Sequence, residues 1–130
     1  MSYNSSANVY VTNNSGGTAN ITLSHCYSTD PTVQATWENV APGAVVGPLV
    51  AGYNTGFIRS GADWWWIGLQ VTDGASAGNY ASEGSADQPG KQCALSDEDD
   101  GKRLDFSVDT ETFVMTEVSG TCSTSVSSVG

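Results

Sequence analysis

Apolar and polar residues alternate along much of this chain with the period of two that belongs to strands, not the 3.6 of helices. Asn8-Val9-Tyr10-Val11-Thr12 places Val9 and Val11 on one face. Ala19 to Tyr27 places Ala19, Ile21 and Leu23 on one face, with His25 on the same parity near the strand end. The cluster Asn13-Asn14-Ser15-Gly16-Gly17 between them is rich in turn formers, so the two stretches read as a hairpin. Arg103 to Val108 turns Leu104, Phe106 and Val108 inward and Asp105 and Ser107 outward, and Thr112 to Val118 follows at hairpin spacing.

Between these stretches the pattern weakens. Asp30-Pro31 can open a short helix to about Thr36, although Thr32, Val33 and Thr36 are poor helix formers. Val45 to Val50 is interrupted by Gly47-Pro48 and reads as an edge or bulged strand, because proline cannot donate to a central ladder. Asp73 to Gly90 reads as a long loop with at most one short strand near Asn79 to Ser82. Lys91 to Leu95 is a weak strand, Asp97 to Gly101 an acidic turn, and the Ser/Thr-rich tail after Gly120 offers little to bury, although Cys122 could tie it down.

The most informative stretch is Asp63-Trp64-Trp65-Trp66-Ile67-Gly68-Leu69-Gln70-Val71-Thr72, a strand bounded by Gly61 and Asp73-Gly74. Its odd positions, Trp65, Ile67, Leu69 and Val71, form a core row. Its even positions set Trp64 and Trp66 beside Gly68, Gln70 and Thr72, a composition that suits neither a solvated face nor a core. Aromatic side chains rimmed by polar groups mark a surface that binds. A second layer covering both indoles is the competing expectation. The segment Gly52 to Arg59 leads into this strand and is dense in glycine, amide, hydroxyl and aromatic groups, as a binding loop would be. Parity and local polarity nominate Tyr53, Asn54, Arg59, Asp63, Trp64 and Trp66 as ligand-binding residues.

Composition narrows the class. With 130 residues the chain fits one domain spanning residues 1–130. Charged residues make up 14% and Gly, Ser, Thr and Asn are abundant, which suits a mainly β protein: a single-domain antiparallel β-sandwich with at most short flanking helices. The net charge of −10 opposes binding to phosphate backbones, so nucleic acid is not an expected partner. No apolar run has the roughly 20 residues of a membrane span, and the first residues lack a secretory signal, so the expectation is no membrane insertion and a cytoplasmic or non-classically released protein. Cys26, Cys93 and Cys122 form no close pair; without a signal, three reduced thiols are expected, with one disulfide the maximum. Asn4, Asn13 and Asn20 lie in glycosylation sequons that matter only on a secretory route.

Candidate catalysts are few. His25 is the single histidine, and no nucleophile elbow or metal-binding helix motif occurs. A hydrolase acting on glycans or RNA through His25 and a carboxylate is therefore the weaker reading. The run Asp97 to Asp100 lacks the ligand spacing of a calcium loop, and neither metal nor cofactor is expected.

At Asn54-Thr55-Gly56-Phe57, Asp63-Trp64-Trp65-Trp66 and Ser82-Glu83-Gly84-Ser85 the chain resembles small mushroom lectins of the ink cap type, which bind glycans ending in β-linked N-acetylgalactosamine. More distantly it is similar to worm and fungal proteins up-regulated in daf-2 mutants, relatives of the aegerolysin β-sandwiches. The resemblance implies a cofactor-free lectin, dimeric, binding glycans on glycoproteins or glycolipids in defence or cytotoxicity. It also implies an alternative architecture, a layered α-β-α sandwich. An aegerolysin-like lipid-binding role is the third reading, with the tryptophans at a membrane interface.

Overall fold

The computed structural model describes residues 3–56 and 61–129 and is built from two packed β-sheets. Its strands are β1 (Ser5–Asn13), β2 (Ala19–Tyr27), β3 (Val33–Val40), β4 (Val45–Tyr53), β5 (Asp63–Val71), β6 (Gly78–Ala81), β7 (Lys91–Gln92), β8 (Arg103–Val108), β9 (Thr112–Thr116), β10 (Thr121–Ser125) and β11 (Ser127–Ser128). One sheet has the order β10-β9-β8-β1-β4, and the other β11-β6-β5-β2-β3 with β7 also on β5. All pairings are antiparallel except β1 with β8. Among the described residues there is no α-helix, only the 3-10 turn Asp97–Asp99, so the architecture is the mainly β sandwich and not the layered α-β-α alternative.

The core rows fall where alternation puts them. Val9, Val11, Ala19, Ile21, Leu23, Trp65 and Ile67 are all fully buried between the sheets, with Leu104, Phe106, Val108, Phe113 and Met115 completing the interior. Each of the Val, Leu, Ile, Phe and Met side chains among them contributes about 1.5–3 kcal/mol by leaving water. Trp65 sits at the centre of an aromatic file, its ring 5.0 Å from Phe106, which is in turn 5.9 Å from Phe113.

Four expectations need correction. β1 and β2 are not a hairpin: they lie in different sheets, and Asn14 to Thr18 arches between the layers. Asn13 holds this arch, because its buried side chain donates to the carbonyls of Gly17 and Val40, both at 2.9 Å, and accepts from Ser15 Oγ at 2.7 Å. That burial also closes Asn13 to glycosylation. The segment from Pro31 to Thr36 does not start a helix; Val33 to Val40 pairs with β2 instead, where Thr and Val fit a pleated surface better. The tail is not idle: β10 extends the first sheet, β11 pairs β6, and Val126 is buried. The cysteines are not all reduced, since tertiary folding brings Cys93 and Cys122 into a disulfide and leaves Cys26 free. The bulged edge strand is found as expected: β4 closes the first sheet, and its register with β1 slips between Val9 and Val11, opposite Gly47-Pro48.

Candidate functional site

β5 is flanked by β2 and β6, and its even residues point away from the core onto the outer face of the second sheet. Directly opposed residues of an antiparallel pair share a face. The pairings Asn20 with Gln70, Thr22 with Gly68, Ser24 with Trp66 and Cys26 with Trp64 therefore bring the outward row of β2 beside the two indoles. Thr36 of β3 and Asn79 of β6 join from the next strands.

Trp66 is half-buried and lies flat along its own strand over Gly68. Any side chain at 68 would collide with the six-membered ring, so the glycine is what lets the indole lie down and present a face outward. Around it is a depression of about 360 Å³ bordered by Thr22, Thr36, Glu38, Gln70 and Asn79. Its polar rim is partly fixed in advance. Asn20 accepts from the Asn39 backbone N–H at 2.8 Å and donates to Gln70 Oε1 at 2.9 Å, which leaves the Gln70 amide N–H groups to face outward. The Thr22 and Thr36 hydroxyls share a hydrogen bond of 2.8 Å. Two buried polar atoms at this face have no partner among the described residues, Trp66 Nε1 and Ser24 Oγ, and they belong to residues directly opposed across the strands. Trp64 lines a second groove farther along the strand.

Of the other nominated residues, Tyr53, Asn54 and Asp63 do not join this face. Tyr53 is fully buried, and its hydroxyl donates to the Ser96 carbonyl at 2.8 Å; burial, with Asp99 nearby, raises its pKa. Asp63 is 1% exposed; it takes His25 Nε2 on Oδ1 at 2.7 Å and the Leu95 N–H on Oδ2 at 2.8 Å. Both are corrections to the ligand-binding assignment, and the reason is parity: each sits on the inward row of its strand. Asn54 accepts from the Asn4 N–H at 3.0 Å and so ties down the N-terminal segment. Arg59 lies outside the described residues.

His25 is 2% exposed and packs its ring 4.5 Å from Trp65. Its partner Asp63 is equally enclosed, so the pair braces the core and has no surface from which to reach a substrate. The acidic run is also structural. Asp99 turns inward and accepts from Ser96 N, Val118 N and Ser119 Oγ at 2.9, 2.8 and 2.6 Å, so one carboxylate clamps the 3-10 turn to the β9–β10 connection. Glu117 lies beside it. Burial above all, then the charges of Asp99 and Asp63, push its pKa up to about 8. Ser119 has one proton and gives it to Asp99, so its 3.4 Å contact helps Glu117 little, and Glu117 Oε2 is left without a partner among the described residues. Among the described residues no group of three or more His, Cys, Asp or Glu is arranged to hold a metal ion.

Sequence reasoning found the two indoles but not Asn20, Thr22, Thr36 or Asn79. For Asn20 and Thr22 the signal was present in β2, whose outward row is uniformly small or polar, but only the pairing of β2 with β5 makes that row part of the same surface; Thr36 and Asn79 join it through β3 and β6.

The model of the family described as Up-Regulated in long-lived daf-2 matches residues 3–88, about two thirds of the chain, which take in β1 to β6 and most of this face. No curated protein matches the chain. The chain belongs to the family of proteins up-regulated in long-lived daf-2.

Proposed function

We propose that this family member is a glycan-binding protein whose site is the Trp66 face of the six-stranded sheet. The observation that carries the reading is the indole laid flat on Gly68 and rimmed by amides and hydroxyls from β2, β3, β5 and β6. A sugar ring has an apolar C–H face and a polar edge, and an aromatic surface with convergent polar groups answers both. Gln70 and Asn79 offer donors, and Asn79 also an acceptor, so the rim can pair the N–H and C=O of an acetamido group. Such a site rejects the analogue that lacks the group, because its own polar atoms would be left unpaired. This favours glycans ending in N-acetylgalactosamine, in line with the resemblance to mushroom lectins.

One shallow site binds weakly, and a homodimer would add avidity on clustered glycans without new contacts. The Cys93–Cys122 disulfide suits action outside a reducing compartment, where glycoproteins and glycolipids are met and where a defensive or cytotoxic role would operate.

The test is a glycan array probed with wild type, Trp66→Ala and Gly68→Ala, each verified as folded by circular dichroism. Wild type is expected to select terminal N-acetylgalactosamine, and both variants to lose that signal. No glycan signal from wild type at high concentration, or binding to glycan-free liposomes instead, overturns the reading.

A further inference from the structure

The second groove differs from the Trp66 depression in charge and in construction. It encloses about 460 Å³, with Trp64 and Cys26 contributed by the sheet, Asp30 and Thr32 by the segment between β2 and β3, and Asp87 and Gln88 by the loop after β6. Its walls are held. Thr32 Oγ1 donates across the groove to the Asp87 carbonyl at 3.2 Å. Ser85 and Gln88 exchange backbone hydrogen bonds of 3.0 and 3.1 Å, and Gly84 bridges Pro89. Asp30 is fixed by the Tyr3 hydroxyl, which donates to Oδ2 at 3.0 Å. Two acidic residues thus flank a half-exposed indole, and among the described lining residues none is basic.

We propose that this groove binds an organic primary ammonium, and in particular an amino sugar with a free amine. The negative face of an indole attracts a cation lying over it, and an ammonium carries three N–H donors with no acceptor, which matches two carboxylates. Hydrogen bonds between charged partners are about twice as strong as neutral ones. An N-acetylated sugar lacks the charge and keeps one N–H donor in place of three, so the groove separates the free amine from its acetamide. This goes beyond the glycan reading of the Trp66 depression and does not depend on it.

Ligand-observed NMR with glucosamine, N-acetylglucosamine and choline, each against wild type, Trp64→Ala, Trp66→Ala and the double variant Asp30→Asn/Asp87→Asn, tests it. The double variant keeps the shape of both side chains and an acceptor for Tyr3, so it retains the fold. Glucosamine is expected to bind wild type and Trp66→Ala alike, more weakly as salt is raised, and about tenfold more weakly to the double variant. Trp64→Ala should lose it as well. Binding of N-acetylglucosamine to Trp66→Ala as tight as that of glucosamine, a double variant that binds glucosamine as wild type does, or binding of choline alone would each overturn the proposal. A negative glycan array with positive glucosamine binding would sink the Trp66 reading and leave this one standing.

Discussion

Trp65 and Trp66 are neighbours in sequence and opposites in environment. Trp65 is fully buried, its Nε1 donates to the Cys93 carbonyl at 2.9 Å, and its ring contacts His25 and Phe106. Trp66 is half-buried on a bed of glycine, and its Nε1 has no partner among the described residues. The two sides of β5 carry this contrast further. Along the inner side Asp63 and His25 satisfy each other, and Asp99 collects donors from three residues. Along the outer side the opposed Ser24 and Trp66 leave a hydroxyl and an indole N–H unmatched. An unmatched buried polar atom costs on the order of 1–3 kcal/mol, and among the described residues the interior carries one as well, Glu117 Oε2. The same residue type is a core element on one parity and part of the outer face on the other.

Substitutions ordered by effect on stability should separate the two sides. Trp65→Ala empties the centre of the aromatic file and strands the Cys93 carbonyl, and should lower unfolding free energy by about 3–5 kcal/mol in a denaturant titration. A loss below about 1 kcal/mol would show that the inner row is not the core it is described to be. Asp63→Ala leaves His25 buried without its carboxylate and should cost about 3–5 kcal/mol by the same titration; retention of wild-type stability would mean the pair is dispensable.

Glu117→Gln works in the opposite direction. In the folded protein Glu117 holds its proton up to about pH 8, whereas in the unfolded chain it releases it near the ordinary carboxyl value. Below that ordinary value both states are protonated and stability from this group is fully present. As pH rises toward 8 the unfolded state loses its proton first, so stability falls with rising pH and stops falling once the folded group has also ionised. The Gln variant should therefore melt higher than wild type at pH 8, with a flatter Tm profile between pH 5 and 8. Parallel profiles for the two proteins would refute the raised pKa.

Gly68→Ala should change stability least, by about 1 kcal/mol or less, because the ring it displaces faces solvent and can move outward. Yet it should abolish glycan binding, because the platform tilts. A variant that unfolds would place Trp66 with the core, and one that binds as wild type would remove the flat indole from the recognition scheme.

The sequence by itself determined which residues go inside. A strand alternates faces whatever it pairs with, so Val9, Val11, Ile21, Leu23, Trp65, Ile67, Leu104 and Phe106 could be assigned to the interior from parity alone, and the bulged edge at Gly47-Pro48 from the missing proline donor. Pairing partners are not local properties, and only the tertiary structure decided them. It sent β1 and β2 to different sheets although a turn joins them, made Val33 to Val40 a strand by giving it β2 as a neighbour, and joined two cysteines 29 positions apart. It also assembled the candidate site. Parity exposed Trp64 and Trp66, but Asn20, Thr22, Thr36 and Asn79 reach Trp66 only through the register of β3, β2, β5 and β6, which is fixed by contacts between residues far apart in the chain.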